Sequence, residues 1–257
     1  GLCCRIAPHF TDGLPKSALH PQTFRDFLRR DSIANQQRVH AQRGELEIAA
    51  LQTLRHVIGR TDWDRETVLE INPKLTYHFC NETLRKPFYE GQWSYEACEK
   101  HSIFASSCVY PIKGFHLLLE AMPEVLRQYP DARISVCGRS FLQSGLRQNG
   151  YEKYLAGLAK KYGLTDKITC LGSLSAGQMK ENYLKANVFV LPSTMENSPN
   201  SLGEAMLLGT PSVAADVGGV TSILDPEEGI LCPPVSPEAI AQGICRVFAL
   251  KDQAAAM

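Results

Sequence analysis

Between residues 103 and 250, short β-rich runs alternate with amphipathic stretches of helical length, and this alternation constrains the fold more than any other feature. Strands are predicted at 103–105, 133–137, 167–171, 188–191, 211–215 and 229–232, and helices at 114–129, 151–162, 177–186, 199–208 and 237–250. Strands that alternate with helices in this way are typical of parallel sheets covered on both faces. The pattern therefore predicts an α/β fold with a Rossmann-like, doubly wound parallel sheet, whose ligands bind at the carboxyl ends of the strands.

The first hundred residues show a less regular pattern. Apolar residues at helical spacing predict a helix over 42–55, and His56-Val57-Ile58-Gly59 predicts a short buried strand. Thr61 or Asp62 then caps a second helix, and residues 72–100 are predicted to be irregular. The sequence thus divides into two regions, 1–100 and 101–257, of which the second carries the regular sheet.

Composition excludes several classes of function. Lys plus Arg and Asp plus Glu number 27 each, so no overall charge recruits nucleic acid or an anionic membrane. No apolar run approaches the roughly 20 residues that span a membrane. The nine cysteines are scattered without a C-x-x-C pair, which favours reduced, mostly buried thiols and a cytoplasmic location.

Residues able to carry chemistry follow the strand predicted at 188–191. Glu196 lies in the loop that leaves this strand, and Glu204 lies eight residues later inside the next helix. Ser198 is predicted to cap that helix, with Pro199 at its first position. Free backbone N–H groups and the helix dipole make this end an anion site that suits a diphosphate. The alternative is that Ser198 only caps the helix and both glutamates are solvated.

The segment from Pro192 to Gly219, P-S-T-M-E-N-S-P-N-S-L-G-E-A-M-L-L-G-T-P-S-V-A-A-D-V-G-G, resembles the E-x7-E signature of retaining glycosyltransferase family 4. The likeness extends over about 103–250 and includes Lys113-Gly114, 136–138 and 170–173. It implies a GT-B fold, in which two Rossmann-like domains face each other across a cleft. Residues 101–257 would be the domain that binds a nucleotide sugar, and residues 1–100 part of the acceptor-side domain.

The resemblance also implies roles for particular residues. Glu204 would bind the donor ribose, Glu196 the transferred sugar and Lys113 the diphosphate, so that Glu196 and Lys113 form the catalytic pair. The other donor-binding residues would be Asn197, Ser198, Asn200, Ser201, Gly172, Ser173, Leu174, Gly138, Arg139, Gly218 and Gly219. The family usually has an arginine five or six residues before the lysine, where this sequence has Cys108 and Ser107. Arg139, or a residue outside this chain, would have to supply that charge.

The function implied is the transfer of a sugar, with retention, from a UDP- or GDP-linked donor to a glycan, lipid or small-molecule acceptor. We expect no cofactor, no metal and no nucleic acid. We do expect peripheral association with a membrane. A non-catalytic nucleotide-sugar-binding module and a GT-B epimerase are the alternatives. The triplet Asp62-Trp63-Asp64 matches the D-x-D metal motif of other glycosyltransferases, but its position after a strand and Thr61 favours helix capping.

The chain begins at Gly1 without a methionine. If residues precede it, residues 1–100 contain too few strands for a full acceptor-side sheet. On that reading we expect the 257-residue chain to bind its donor weakly and to transfer no sugar by itself.

Overall fold

The N-terminal region of the computed structural model, which describes residues 2–143, 145 and 147–256, is mostly helical. Its elements are α1 (Cys3–His9), α2 (Lys16–Leu19), α3 (Phe24–Arg29), α4 (Ile33–Thr53), β1 (His56–Gly59), α5 (Asp62–Ile71) and β2 (Thr76–Phe79). The helix predicted over 42–55 is the second half of α4. β1 and β2 pair in parallel as a two-stranded sheet.

Two predictions about this region are wrong. The strand at 56–59 is not buried, because Ile58 is 71% exposed and β1 has β2 as its single neighbour among the described residues. β2 lies inside the stretch predicted to be irregular. Its four residues, Thr-Tyr-His-Phe, are mostly exposed and show no apolar alternation, so the sequence carried little signal for a strand.

Helix α5 begins with a capping box. The Thr61 hydroxyl accepts a hydrogen bond from the Asp64 N–H at 3.1 Å, and the Asp64 carboxylate accepts one from the Thr61 N–H at 3.3 Å. Two of the N–H donors at the start of the helix are satisfied in this way. This confirms capping as the role of Asp64 in the Asp62-Trp63-Asp64 triplet.

The second region alternates strands and helices as predicted, and most boundaries agree within one or two residues. Its elements are β3 (Ser102–Ala105), α6 (Phe115–Gln128), β4 (Arg133–Val136), α7 (Gly150–Lys161), β5 (Ile168–Cys170), α8 (Ala176–Lys185), β6 (Val188–Leu191), α9 (Asn200–Leu207), β7 (Ser212–Ala215), β8 (Ile230–Cys232) and α10 (Pro237–Leu250). The six strands form one parallel sheet in the order β5-β4-β3-β6-β7-β8. The predicted doubly wound parallel sheet is confirmed.

Alternate side chains of the central strands enter two different cores. Ile103 of β3 and Val190 of β6 pack into the core shared with α6, α7 and α10, whereas Phe104 and Phe189 pack into the one shared with α8 and α9. The period of two places successive side chains on opposite faces of the sheet. Both faces are therefore covered, and the sheet is a rigid base for the loops at its carboxyl edge.

The strand order reverses between β3 and β6, which are neighbours in the sheet although two strands and three helices separate them in sequence. Their register pairs Ile103 with Val188 and Phe104 with Phe189. At such a switch point the loops that follow the two strands turn to opposite faces and leave a crevice between them. The loops concerned are residues 106–114 and 192–199.

The N-terminal helices are joined to this domain by hydrogen bonds near the same edge. The Thr194 hydroxyl donates to the His9 carbonyl at 2.8 Å, and the Gly150 N–H donates to Asp26 Oδ1 at 3.0 Å. All nine cysteines are free thiols. Within the described residues, none of the helices combines the length and apolar character needed to cross a bilayer.

Candidate functional site

The loops that follow β3 and β6 meet at Gly114 and Pro192. Gly114 has φ of +65°, and a Cβ there would lie 1.7 Å from the Pro192 carbonyl oxygen. Only glycine permits this approach, which places Lys113 beside the second loop. Lys113 Nζ donates to Glu196 Oε1 at 2.6 Å, and the Ser193 hydroxyl donates to the same oxygen at 2.7 Å. The structure thus brings together both residues of the predicted catalytic pair.

Glu196 is a buried carboxylate, 8% exposed, and its ionic partner Lys113 has a side chain that is 33% exposed. A buried charge is costly unless it is paired and hydrogen-bonded, and here the lysine and a serine hydroxyl meet both conditions. The pair therefore presents a fixed carboxylate and a cation at the switch-point crevice.

Helix α9 starts beside this pair without a side-chain cap. Its first residue is Asn200, and the N-cap is Pro199, with φ −74° and ψ 102°. The prediction that Ser198 caps the helix is wrong, because the extended backbone of Pro199 delays the helix by one residue. The amides of Asn200 and Ser201 belong to the first turn, whose N–H groups have no partner within a helix. They remain suited to an anion.

Glu204 lies one turn into α9 and is 3% exposed. Arg85 Nε donates to Glu204 Oε1 at 2.9 Å, and Nη2 lies 2.7 Å from the same oxygen in an ion pair. The Tyr183 hydroxyl lies 3.5 Å from Oε2 and donates to the Ser201 carbonyl at 2.9 Å. Burial raises the pKa of Glu204, an effect that the Arg85 and Tyr183 contacts oppose. Most of the hydrogen-bonding capacity of Oε2 is unused in these contacts.

Two glycines after β7 pack directly against the Glu196 loop. A Cβ on Gly218, which has φ of +53°, would lie 1.9 Å from the Glu196 carbonyl oxygen, and one on Gly219 would lie 1.9 Å from the Asn197 carbonyl oxygen. The Gly219 N–H donates to the Glu196 carbonyl at 3.0 Å. Nothing larger than glycine fits, so these residues fix the path of the loop. Asn197 Oδ1 is buried in this loop without a hydrogen-bond partner among the described residues.

A family model described as "Glycosyl transferases group 1" matches residues 96–257, which include Lys113, Glu196 and Glu204. The chain belongs to the group 1 glycosyltransferases.

Individual relatives agree with this membership. A D-inositol 3-phosphate glycosyltransferase of Segniliparus rotundus is 32% identical over 150 residues, which cover 58% of this chain and 32% of the relative. An uncharacterized glycosyltransferase of Methanocaldococcus jannaschii is 32% identical over 151 residues, covering 58% of this chain and 36% of the relative. The match thus spans about a third of the length of these curated relatives.

Solved structures show the same fold. Sucrose-phosphate synthase from Thermosynechococcus elongatus superposes with a TM-score of 0.69 at 26% identity, over 82% of this chain and 53% of that one. Anabaena HepE, solved in complex with UDP-glucose, gives a TM-score of 0.70 at 18% identity over 82% of this chain and 59% of that one. The fold is that of the GT-B glycosyltransferases, as the sequence predicts.

In this group 1 glycosyltransferase, the predicted residues of β4 and β5 lie farther along the sheet edge. Gly138 and Gly172 exchange two N–H···O hydrogen bonds of 3.0 Å, with φ of +127° and +70°. Ser173 is exposed and Leu174 half-buried in the turn that follows. These four residues line the carboxyl ends of β4 and β5, which lie on one side of β3 in the sheet. Their role in donor binding stays a prediction.

Arg139 is held away from Lys113. Its guanidinium donates from Nη2 to Glu152 Oε2 at 2.7 Å and to the Arg147 carbonyl at 2.9 Å, which ties it to the start of α7. Cys108, at a position where the family usually has arginine, is buried, and burial raises the pKa of its thiol to about 12. The thiol is therefore uncharged and adds no cation beside Lys113.

Two arginines from the N-terminal region reach α9 and were missed in the sequence. Besides Arg85, Arg60 donates from Nη2 to the Ser198 carbonyl at 2.9 Å and to Asn200 Oδ1 at 3.0 Å. Arg60 also forms an ion pair with Glu82. Its position directly after β1 was the available signal, because residues that follow parallel strands commonly line ligand sites. Arg85 had no such signal.

Among the described residues, no three His, Cys, Asp or Glu side chains form a group that could hold a metal ion. Asp62 and Asp64 lie in the first turn of α5, where Asp64 is engaged in the capping box. The arrangement offers a buried carboxylate, a lysine, uncapped helical amides and a second buried carboxylate along one crevice.

Proposed function

We propose that this chain forms the donor-binding part of a retaining family 4 glycosyltransferase that uses a UDP- or GDP-linked sugar. The observation that supports this proposal most is the ion pair between Lys113 Nζ and Glu196 Oε1, 2.6 Å apart at the switch point. It lies next to the uncapped start of α9. Glu204 lies one turn farther on the same helix. The UDP-glucose complex of HepE, a protein of the same fold, supports a nucleotide sugar as the ligand.

In this proposal each part of the donor meets a chemically matched group. The diphosphate binds the amides of Asn200 and Ser201 and the ammonium of Lys113, which stabilise the charge of the leaving group. Glu196 accepts hydrogen bonds from the hydroxyls of the transferred sugar, and Glu204 accepts them from the ribose. The Gly172–Ser173–Leu174 turn borders the base.

Retention follows if the leaving diphosphate helps to deprotonate the acceptor on the same face of the sugar. No covalent nucleophile and no metal are then needed, since Lys113 and the helix terminus supply the positive field. Closure of the cleft excludes water from the oxocarbenium-like transition state. The nine free thiols support a cytoplasmic location for this chemistry.

The acceptor is proposed to be a glycan, a lipid or a small molecule, with the enzyme peripherally associated with a membrane. Helix α3 supports this association, because Phe24, Phe27 and Leu28 are 70–77% exposed beside the exposed Arg29 and Arg30. Such a face suits an anionic lipid surface. Co-sedimentation with phosphatidylglycerol vesicles, lost in Phe27→Ser and absent with phosphatidylcholine, would support it. Equal recovery with and without vesicles would reject it.

A panel of UDP and GDP sugars, followed by thermal denaturation, tests donor binding, since a specific ligand raises apparent stability by mass action. The expected result is a saturable rise with one donor, reduced in Glu196→Gln. Sugar transfer by the complete polypeptide, abolished by the same substitution, then tests the reaction. Conversion of the donor to another nucleotide sugar without acceptor would identify an epimerase. Donor binding without turnover by the complete polypeptide would identify a non-catalytic module.

A further inference from the structure

Glu204 poses an electrostatic problem that the E-x7-E motif does not solve. It is 3% exposed, and a carboxylate withdrawn from water this far tends to take up a proton. A protonated carboxyl group has one O–H donor and a reduced acceptor capacity, so it accepts hydrogen bonds from vicinal hydroxyls more weakly than a carboxylate does. A ribose-binding Glu204 therefore needs a nearby positive charge.

Arg85 supplies that charge from a segment distant in sequence. Nε donates to Oε1 at 2.9 Å, and Nη2 forms an ion pair with the same oxygen at 2.7 Å. The guanidinium carbon lies 4.9 Å from the centre of the Phe88 ring. Phe88 is fully buried against Tyr183, which fixes the segment under the guanidinium. The arginine is thus held by a stacking contact on one side and by the carboxylate on the other.

The contact leaves one carboxylate oxygen for a ligand. The hydrogen bond and the ion pair from Arg85 are both made to Oε1, whereas Oε2 has the Tyr183 hydroxyl as its partner, at 3.5 Å. That hydroxyl is engaged with the Ser201 carbonyl at 2.9 Å, so its bond to Oε2 is weak. Two titratable groups face Glu204: the charged Arg85, from the segment between β2 and β3, and the neutral Tyr183 of α8. The Cys137 thiol lies behind Tyr183.

We propose that Arg85 is a positioning residue that keeps Glu204 ionised and turns its Oε2 toward the ribose of the donor. The proposal rests on the assignment of Glu204 to the ribose in the preceding subsection. It adds a requirement from outside the E-x7-E motif, because Arg85 has to be in place before Glu204 binds the ribose. Arg85 does so without touching the donor itself.

The test is the pH dependence of nucleoside diphosphate affinity in Arg85→Gln, with each value expressed relative to the wild-type protein at the same pH. This normalisation removes the titration of the phosphate. We expect affinity about tenfold below wild type at the acid end of the pH series, recovering toward wild type as the pH rises and Glu204 loses its proton without the arginine. The affinity of Arg85→Lys, which restores a positive charge, should lie between those of Arg85→Gln and the wild type. Lys86→Gln, an exposed neighbour, should match wild type throughout.

Glu204→Gln separates this proposal from the proposed function. In the Arg85→Gln background it should cause little further loss at the acid end of the pH series, because the two residues act as a unit. Wild-type affinity in Arg85→Gln at every pH, with weakened binding in Glu204→Gln, would overturn the role of Arg85 and leave the ribose assignment standing. Tighter binding in Arg85→Gln would show that the arginine blocks the site. A uniform loss at all pH values would show a purely structural role. No effect of Glu204→Gln would refute the ribose assignment itself.

Discussion

Replacing Gly219 by alanine should displace the loop that carries Glu196. The added Cβ would lie 1.9 Å from the Asn197 carbonyl oxygen and 2.7 Å from Thr61 Cγ2, whereas real Cβ atoms essentially never approach other atoms within 3.0 Å. The backbone φ of Gly219 is −88°, which alanine adopts without strain. The steric overlap is therefore the whole perturbation, and about 1 Å of movement has to relieve it.

We expect Gly219→Ala to lower both the stability of the protein and the rate of catalysis. Overpacking of this kind destabilises by about 1–3 kcal/mol. Misplacement of a site residue by about 1 Å lowers the rate by about 100-fold. Because Glu196 is predicted to bind the transferred sugar and not the nucleotide, affinity for the nucleotide sugar should fall more than affinity for the nucleoside diphosphate.

Thermal denaturation measures the loss of stability. Calorimetric titration with the nucleotide sugar and with the nucleoside diphosphate measures the two affinities. Gly177→Ala is the matched control, because a Cβ at this helical position has no atom within 4 Å and alanine favours the helix. It should bind as the wild type does and be slightly more stable. A Gly219→Ala protein with unchanged stability and ligand preference would refute the argument that close backbone packing sets the position of Glu196.

Three further predictions concern charge. In Lys113→Ala, affinity for the nucleoside diphosphate should fall about tenfold or more while affinity for the nucleoside stays the same, because the lysine is proposed to contact phosphate; equal losses by calorimetry would contradict this. Transfer by the complete polypeptide should survive chelation of divalent metals; a collapse restored by manganese or magnesium would revive the metal interpretation of Asp62 and Asp64. Burial lowers the pKa of His116 to about 4, so the unfolded state takes up a proton first as the pH falls below 6.5. The free energy of unfolding should therefore decrease by about 3 kcal/mol between pH 6.5 and 4. In His116→Phe that decrease should be smaller, and an identical slope in urea titrations would refute the assignment.

The sequence predicted the doubly wound domain well because its signals are local. Ser236 and Pro237 mark the start of α10, and its apolar residues repeat at helical spacing until Leu250, so the predicted and observed bounds agree. The structure also brings the predicted site residues Lys113 and Glu196 into contact, although they are 83 residues apart, while their catalytic role stays a prediction. The motif carried that information, since each residue follows one of the two strands at the switch point.

The failures have physical causes. Ser198 was assigned as a cap from its residue type, but capping also depends on backbone angles, and Pro199 takes the N-cap position in an extended conformation. Arg85 and Arg60 reach α9 across 119 and 140 residues of chain. Such contacts arise from how the N-terminal region packs on the second domain. The position of Arg60 after β1 was a local signal for its contact, whereas no local pattern encodes that of Arg85.

Calorimetric titration of UDP and GDP into the wild-type chain and Glu204→Ala tests the central claim most directly. We predict saturable binding of one of the two nucleotides to the wild-type chain. The affinity of Glu204→Ala for it should be more than tenfold lower, because two hydrogen bonds to a charged acceptor are worth about 1.5–3 kcal/mol each. Glu227→Ala, which removes an exposed carboxylate, should bind as the wild type does. Unchanged affinity in Glu204→Ala, or an equal loss in Glu227→Ala, would contradict the placement of the nucleotide on α9.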